Sequence, residues 1–95
     1  MNTYNIIAVI RLYNLERTNI IDEMFLTKTG TLYKYTNNQK LELISKVYDI
    51  TGKELLDLYK NDTSEYFSSK YGIVEIDDDS VSDVLEKYNL YGKIV

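Results

Sequence analysis

The chain opens on an apolar run, YNIIAVIRLY at 4–13, in which Ile6, Ala8, Ile10 and Leu12 alternate onto one face while Ile7 and Val9 make the other face apolar too. A strand that is apolar on both sides belongs in the interior of a sheet, covered above and below. Residues 14–21 read as a connection with a short helical turn around Leu15, Glu16 and Arg17. Over 22–36, two runs rich in Thr and aromatic residues flank Thr29 and Gly30, and Gly30 supplies the positive φ that a tight hairpin turn needs. A turn there sets Lys28 opposite Thr31, Leu26 opposite Tyr33 and Met24 opposite Tyr35, so that aliphatic side chains meet aromatic ones across the strands. Together these segments predict an antiparallel three-stranded meander over 4–36.

Asn37 and Asn38 then break the alternation and offer a helix N-cap. Leu41, Ile44, Val47 and Tyr48 recur at helical spacing, which predicts a helix over 39–49. Thr51 followed three residues later by Glu54 is a capping box, and it predicts a second helix over 53–61 carrying Leu55, Leu56, Leu58 and Tyr59. The pair reads as an αα-hairpin over 38–61, packed on the sheet. Thr63 or Ser64 caps a short helical stretch through Ser69, residues 72–76 read as a strand, and Ser80 with Asp83 starts a third helix whose stripe is Val81, Val84, Leu85 and Tyr88. The apolar end, with Ile94 and Val95, is expected to dock or to add an edge strand. The expected fold is thus α+β and one domain over 1–95: a meander at 4–36, the αα-hairpin at 38–61, and a strand plus helix at 72–95. The expected core includes Ile6, Ile10, Leu26, Ile44, Val47, Leu55, Leu58, Val74 and Leu85.

Composition narrows the chemistry. The 95 residues hold no Cys and no His, which removes disulfides, a zinc cluster, the commonest general base and the best thiol nucleophile. The four glycines stand apart, in no phosphate-binding loop pattern. A calcium loop counted from Asp77 reaches Asp79 at its third position but Val81 at its fifth and Ser82 at its sixth, so the ligand spacing fails. The expectation is a protein that is not an enzyme and has no cofactor and no metal. No apolar run approaches the roughly 18 residues a membrane span needs, and the start of the chain lacks the basic region of a secretory signal. The expected setting is the cytoplasm of a bacterial host.

Residues 45–58, SKVYDITGKELLDL, resemble the helix-turn-helix of small transcriptional repressors, and the resemblance extends over 41–60. Ser45 falls where a small residue lets the helices approach, Ile50 where an apolar residue anchors the turn, and Leu55 and Leu58 where the second helix packs inward. Asp49 stands where that family usually has Gly. The resemblance implies a DNA-binding regulator with Lys53 and Lys60 on its recognition helix. It also implies a homodimer, because one short helix whose charges cancel binds too weakly alone.

Charge points elsewhere. The net charge is −4, yet residues 61–95 alone carry 3 basic and 8 acidic side chains. Glu65, Glu75, Asp77, Asp78, Asp79, Asp83 and Glu86 are placed to form an acidic patch around the last strand and helix. Ten Tyr residues add a side-chain type that binding surfaces favour, although this count also fits AT-rich coding DNA. In size, charge and composition the chain is similar to inhibitors from phages and mobile elements, anti-CRISPR proteins among them. That likeness implies a protein partner with a basic surface, a nuclease or other nucleic-acid-binding protein, engaged by Glu75, Asp77, Asp78, Asp79, Asp83, Glu86, Tyr66 and Tyr71.

Overall fold

The computed structural model describes residues 5–36 and 40–88. Strands β1 (Ile6–Tyr13), β2 (Ile20–Thr27), β3 (Leu32–Tyr35) and β4 (Leu41–Ile44) follow one another as antiparallel neighbours. A two-stranded ribbon, β5 (Lys46–Val47) and β6 (Ile50–Thr51), leads into helix α1 (Gly52–Lys60). Strands β7 (Glu65–Ser68) and β8 (Gly72–Asp77) form a hairpin that returns to the other side of β1, and helix α2 (Val81–Lys87) follows. The result is one six-stranded sheet in the order β4-β3-β2-β1-β8-β7, with a helix on each face. β1 is interior, as its two-sided apolar pattern predicts, and the meander β1-β2-β3 forms. The sheet has six strands and not the expected three, because β4 extends it beyond β3 and the β7–β8 hairpin pairs with the other edge of β1.

A bulge decides which residues face which helix. β1 pairs Ile6 with Thr27 but Ala8 with Leu26, leaving Ile7 as the extra residue. The bulge reverses the alternation, so Ala8, Ile10 and Leu12 pack on the α1 side while Ile6 joins Val9 and Phe25 on the α2 side. The simple alternation that groups Ile6 with Ala8 is corrected accordingly. Leu55, Val47 and Ile50 close the first layer, and Val84 and Leu85 the second. Of the expected core, Ile44 and Leu58 are half-buried at its margin and the other seven residues are buried.

Three further expectations change. The β2–β3 hairpin pairs Leu26 with Leu32, Phe25 with Tyr33 and Met24 with Lys34, one residue out of the expected register. The loop has three residues, Lys28, Thr29 and Gly30, and Gly30 at φ 86 is its last, so the left-handed position falls after the turn and not within a two-residue one.

No αα-hairpin forms. Leu41, Glu42, Leu43 and Ile44 pair with β3, whose outer edge would otherwise be bare, and the Thr36 N–H donates to the Lys40 carbonyl to close the turn. Three apolar residues at ambiguous spacing, Leu41, Leu43 and Ile44, fit a strand as well as a helix, and an available strand edge settles the choice. Glu65–Ser68 likewise pairs with β8 in place of the short helix expected there. Asn37, Asn38 and residues 90–95 lie outside the described residues.

The capping box at α1 forms as the sequence predicts. The Thr51 hydroxyl accepts from the Glu54 N–H, and the Glu54 carboxylate accepts from the Thr51 N–H and hydroxyl. The ribbon before it turns at Tyr48 and Asp49. Tyr48, not Asp49, takes the left-handed backbone (φ 50), an uncommon state for a bulky residue. Its side chain holds it there: the hydroxyl donates to the Tyr13 carbonyl at 3.0 Å, and the ring stacks on Tyr71 with centroids 5.5 Å apart.

Candidate functional site: an acidic corner beside an Arg-centred network

The seven-residue helix α2 covers only part of its sheet face. Beyond it, β1 presents Arg11 between Glu23 on β2 and Glu75 on β8, its direct cross-strand partners, with Asp77 two residues further along β8. The Arg11 side chain is 14% exposed, and its guanidinium donates from Nε to Glu23 at 3.2 Å and from Nη1 to Glu75 at 3.2 Å and Asp77 at 2.5 Å. A charge half-buried in a sheet persists because three carboxylates surround it. Tyr13 Oη donates to Glu75, Arg17 pairs with Glu65 and Glu75, and Arg17 also lies over the Tyr13 ring, 5.2 Å from its centroid.

The same network fixes both ends of α2. At its start, Asp77 accepts from the backbone N–H groups of Asp79 (2.9 Å) and Ser80 (3.3 Å) and from the Ser80 hydroxyl (2.8 Å). Ser80 precedes the helix as the sequence predicts but makes no side-chain capping bond, and Asp77 instead fixes Ser80 and the residue before it. At the other end, Tyr88 Oη donates to Glu23 at 3.1 Å and Lys87 Nζ lies 3.9 Å from it. Partial burial alone would raise the Asp77 carboxyl, but its bonds from Arg11, Ser80 and the Asp79 N–H outweigh that and hold it below the ordinary 3.8. Burial and the neighbouring Glu23 charge raise the Tyr88 phenol.

The expected acidic patch therefore divides. Glu65, Glu75 and Asp77 are committed to Arg11 and Arg17. Asp78, Asp79, Asp83 and Glu86 are exposed and make no ion pair among the described residues. Asp83 and Glu86, three residues apart, share one side of α2. Oxygens of Asp77, Asp78 and Asp79 approach within 4.8 Å of one another, but Asp77 already accepts from four donors, which leaves that triplet poorly suited to a cation.

The remaining candidates lie elsewhere. Tyr66 is half-buried on the α1 side, against the first core layer, and Tyr71 is in the β7–β8 loop against Tyr48. Neither adjoins Asp83 or Glu86. Lys53 lies beside Gly30, near the start of α1, and Lys60 is at its end, lining a polar hollow of about 360 Å³ with Asp62, Thr63, Ser64 and Asp78. Because residues 41–44 and 46–47 form strands, the helix pair on which the DNA-binding resemblance depends is not formed. Sequence reasoning missed Glu23, Arg11 and Arg17. The one signal for Arg11 was its position as the sole charge within the apolar run of β1.

No protein-family model, no curated protein and no solved structure matches this chain. Among the described residues, no helix is long and apolar enough to cross a membrane.

Proposed function

We propose that the chain is a non-enzymatic binding protein that inhibits or sequesters a larger nucleic-acid-handling partner, as phage and mobile-element inhibitors of anti-CRISPR character do. One observation carries this reading: Asp78, Asp79, Asp83 and Glu86 are exposed and make no ion pair among the described residues, while the adjacent Glu75 and Asp77 are neutralised from within. Uncompensated carboxylates on a rigid strand–helix corner attract a basic surface and can occupy positions that phosphates would otherwise take. Glu75, Asp77, Tyr66 and Tyr71 drop out of the contact set, the first two because Arg11 holds them and the tyrosines because they lie away from the corner.

The test is affinity capture from a lysate of the cell that makes the protein, comparing the wild type with a variant carrying Asp78→Asn, Asp79→Asn, Asp83→Asn and Glu86→Gln. A basic nucleic-acid-handling protein retained only by the wild type, and released by added salt, is the expected result. Identical retention by both chains would refute the reading.

A further inference from the structure

A second surface, on the opposite side of the sheet, has its own chemistry. Between α1 and β7 runs an open groove of about 270 Å³, lined by Ile50, Leu58, Tyr66, Glu54 and Asp57. Its floor is apolar: Ile50 is buried, and Leu58 and Tyr66 pack against the core below. Its rim is acidic. Glu54 and Asp57 stand one helical turn apart on α1, and Asp49, the turn residue of the β5–β6 ribbon, accepts a hydrogen bond from Ser68 Oγ and lies beside the Tyr66 hydroxyl.

None of these three carboxylates makes an ion pair among the described residues. That contrasts with the strand carboxylates of the other face, Glu23, Glu65, Glu75 and Asp77, which all find Arg11, Arg17 or Lys87. The only side-chain donors to the Glu54 carboxylate come from its own capping box, and the Asp57 carboxylate has no hydrogen-bond donor among the described residues. An apolar slot ringed by unmatched negative charge complements one kind of side chain: a long aliphatic stem ending in a cation.

We infer that this groove seats an arginine side chain from a basic segment of a protein partner. The methylenes would lie on Ile50 and Leu58, and the guanidinium would stack on the Tyr66 ring and meet Asp57. Arginine fits better than lysine because its planar head both stacks on an aromatic face and forks onto a carboxylate. The groove gives a basic partner a second point of attachment, on the other side of the molecule from Asp83 and Glu86. It stands on its own observations and does not need the acidic corner to be a contact.

The probe is the peptide acetyl-Gly-Ala-Arg-Ala-Gly-amide, titrated into the ¹⁵N-labelled protein and followed by amide and side-chain chemical shifts. Three results are expected together. Shifts concentrate at Ile50, Leu58 and Tyr66. The same peptide with citrulline in place of arginine gives no comparable shift. Asp57→Lys, an exposed position whose carboxylate bonds to nothing among the described residues, weakens binding at least tenfold with an otherwise unchanged spectrum. Shifts centred on Asp79, Asp83 and Glu86, equal shifts with citrulline, or undiminished binding by Asp57→Lys would overturn the inference. Because the neutralised Asp78, Asp79, Asp83 and Glu86 variant leaves this groove intact, it should bind the peptide as the wild type does. Loss of the corner's partner and loss of the groove's ligand are therefore read separately.

Discussion

Asp77 Oδ2 lies 2.5 Å from Arg11 Nη1 while the same carboxylate accepts from Ser80, the residue that precedes α2, so one carboxylate joins the interior strand of the sheet to the start of the helix that covers it. Glu23 makes the matching connection at the far end, between Arg11 and Tyr88. The second core layer, built on Val9, Phe25, Val84 and Leu85, is therefore held by charge at both ends as well as by apolar contact.

Arg11→Met should be strongly destabilising. It leaves Glu23, Glu75 and Asp77 close together without their cation, and breaking such a partly buried cluster costs about 2–4 kcal/mol. Urea unfolding at pH 7 measures the loss. The deficit should shrink as pH falls below about 4, because Arg11 helps hold the Asp77 carboxyl below its ordinary value and that pairing is lost as Asp77 protonates. A deficit that stays constant with pH would mean that Arg11 acts through packing alone.

Asp77 sets the acid limb of stability. Its folded pKa lies below the ordinary 3.8, so its contribution is complete above that value and is lost as pH falls through the lower, folded one. Asp77→Asn should be less stable than the wild type at pH 7, and the gap should close progressively below about pH 4. Parallel urea midpoints from pH 7 to pH 2 would instead assign the acid loss to other carboxylates.

Thr51→Ala removes the capping box of α1 and should cost about 1–2 kcal/mol, read from the urea midpoint with an unchanged slope. Thr51→Ser, which keeps the hydroxyl, should recover most of it.

Gly72→Ala should be costly for a reason independent of charge. A Cβ there would sit 2.0 Å from the Tyr13 carbonyl oxygen, and the backbone is at φ 152. The required shift of β1 against β8 should cost about 1–3 kcal/mol or more. It should also loosen Tyr48, whose hydroxyl bonds to that same carbonyl, and this would appear as lost near-ultraviolet dichroism from the Tyr48–Tyr71 stack.

Legibility in the sequence followed the strength of the local signal. β1, α1 with its capping box, β8 and the stripe of α2 were readable because each has an unambiguous period or a paired cap residue. The 41–44 segment was not, because Leu41 and Ile44 satisfy a helical spacing while Leu41 and Leu43 satisfy an alternating one. What decides between them is the open edge of β3, a tertiary feature that the spacing within 41–44 does not carry. Simple alternation puts Ile6 on the wrong face because a bulge at Ile7 leaves no mark in the pattern.

At the site, clustering in sequence exposed Asp77, Asp78 and Asp79 but could not separate the carboxylate that Arg11 neutralises from the two that make no ion pair among the described residues. That separation depends on Arg11 and Glu75 being cross-strand partners 64 residues apart. The rim of the groove was invisible for the same reason, since Asp49 and Asp57 reach Tyr66 only through the return of β7.

The decisive measurement is displacement of a labelled DNA duplex from the captured partner, followed by fluorescence anisotropy as the chain is added at low and moderate salt. The wild type should displace the duplex, more effectively at low salt, and the variant neutralised at Asp78, Asp79, Asp83 and Glu86 should be at least tenfold weaker. Equal displacement by both chains would contradict the account. So would saturable, salt-weakened binding of the chain to the duplex itself, which would mean that it engages phosphates directly.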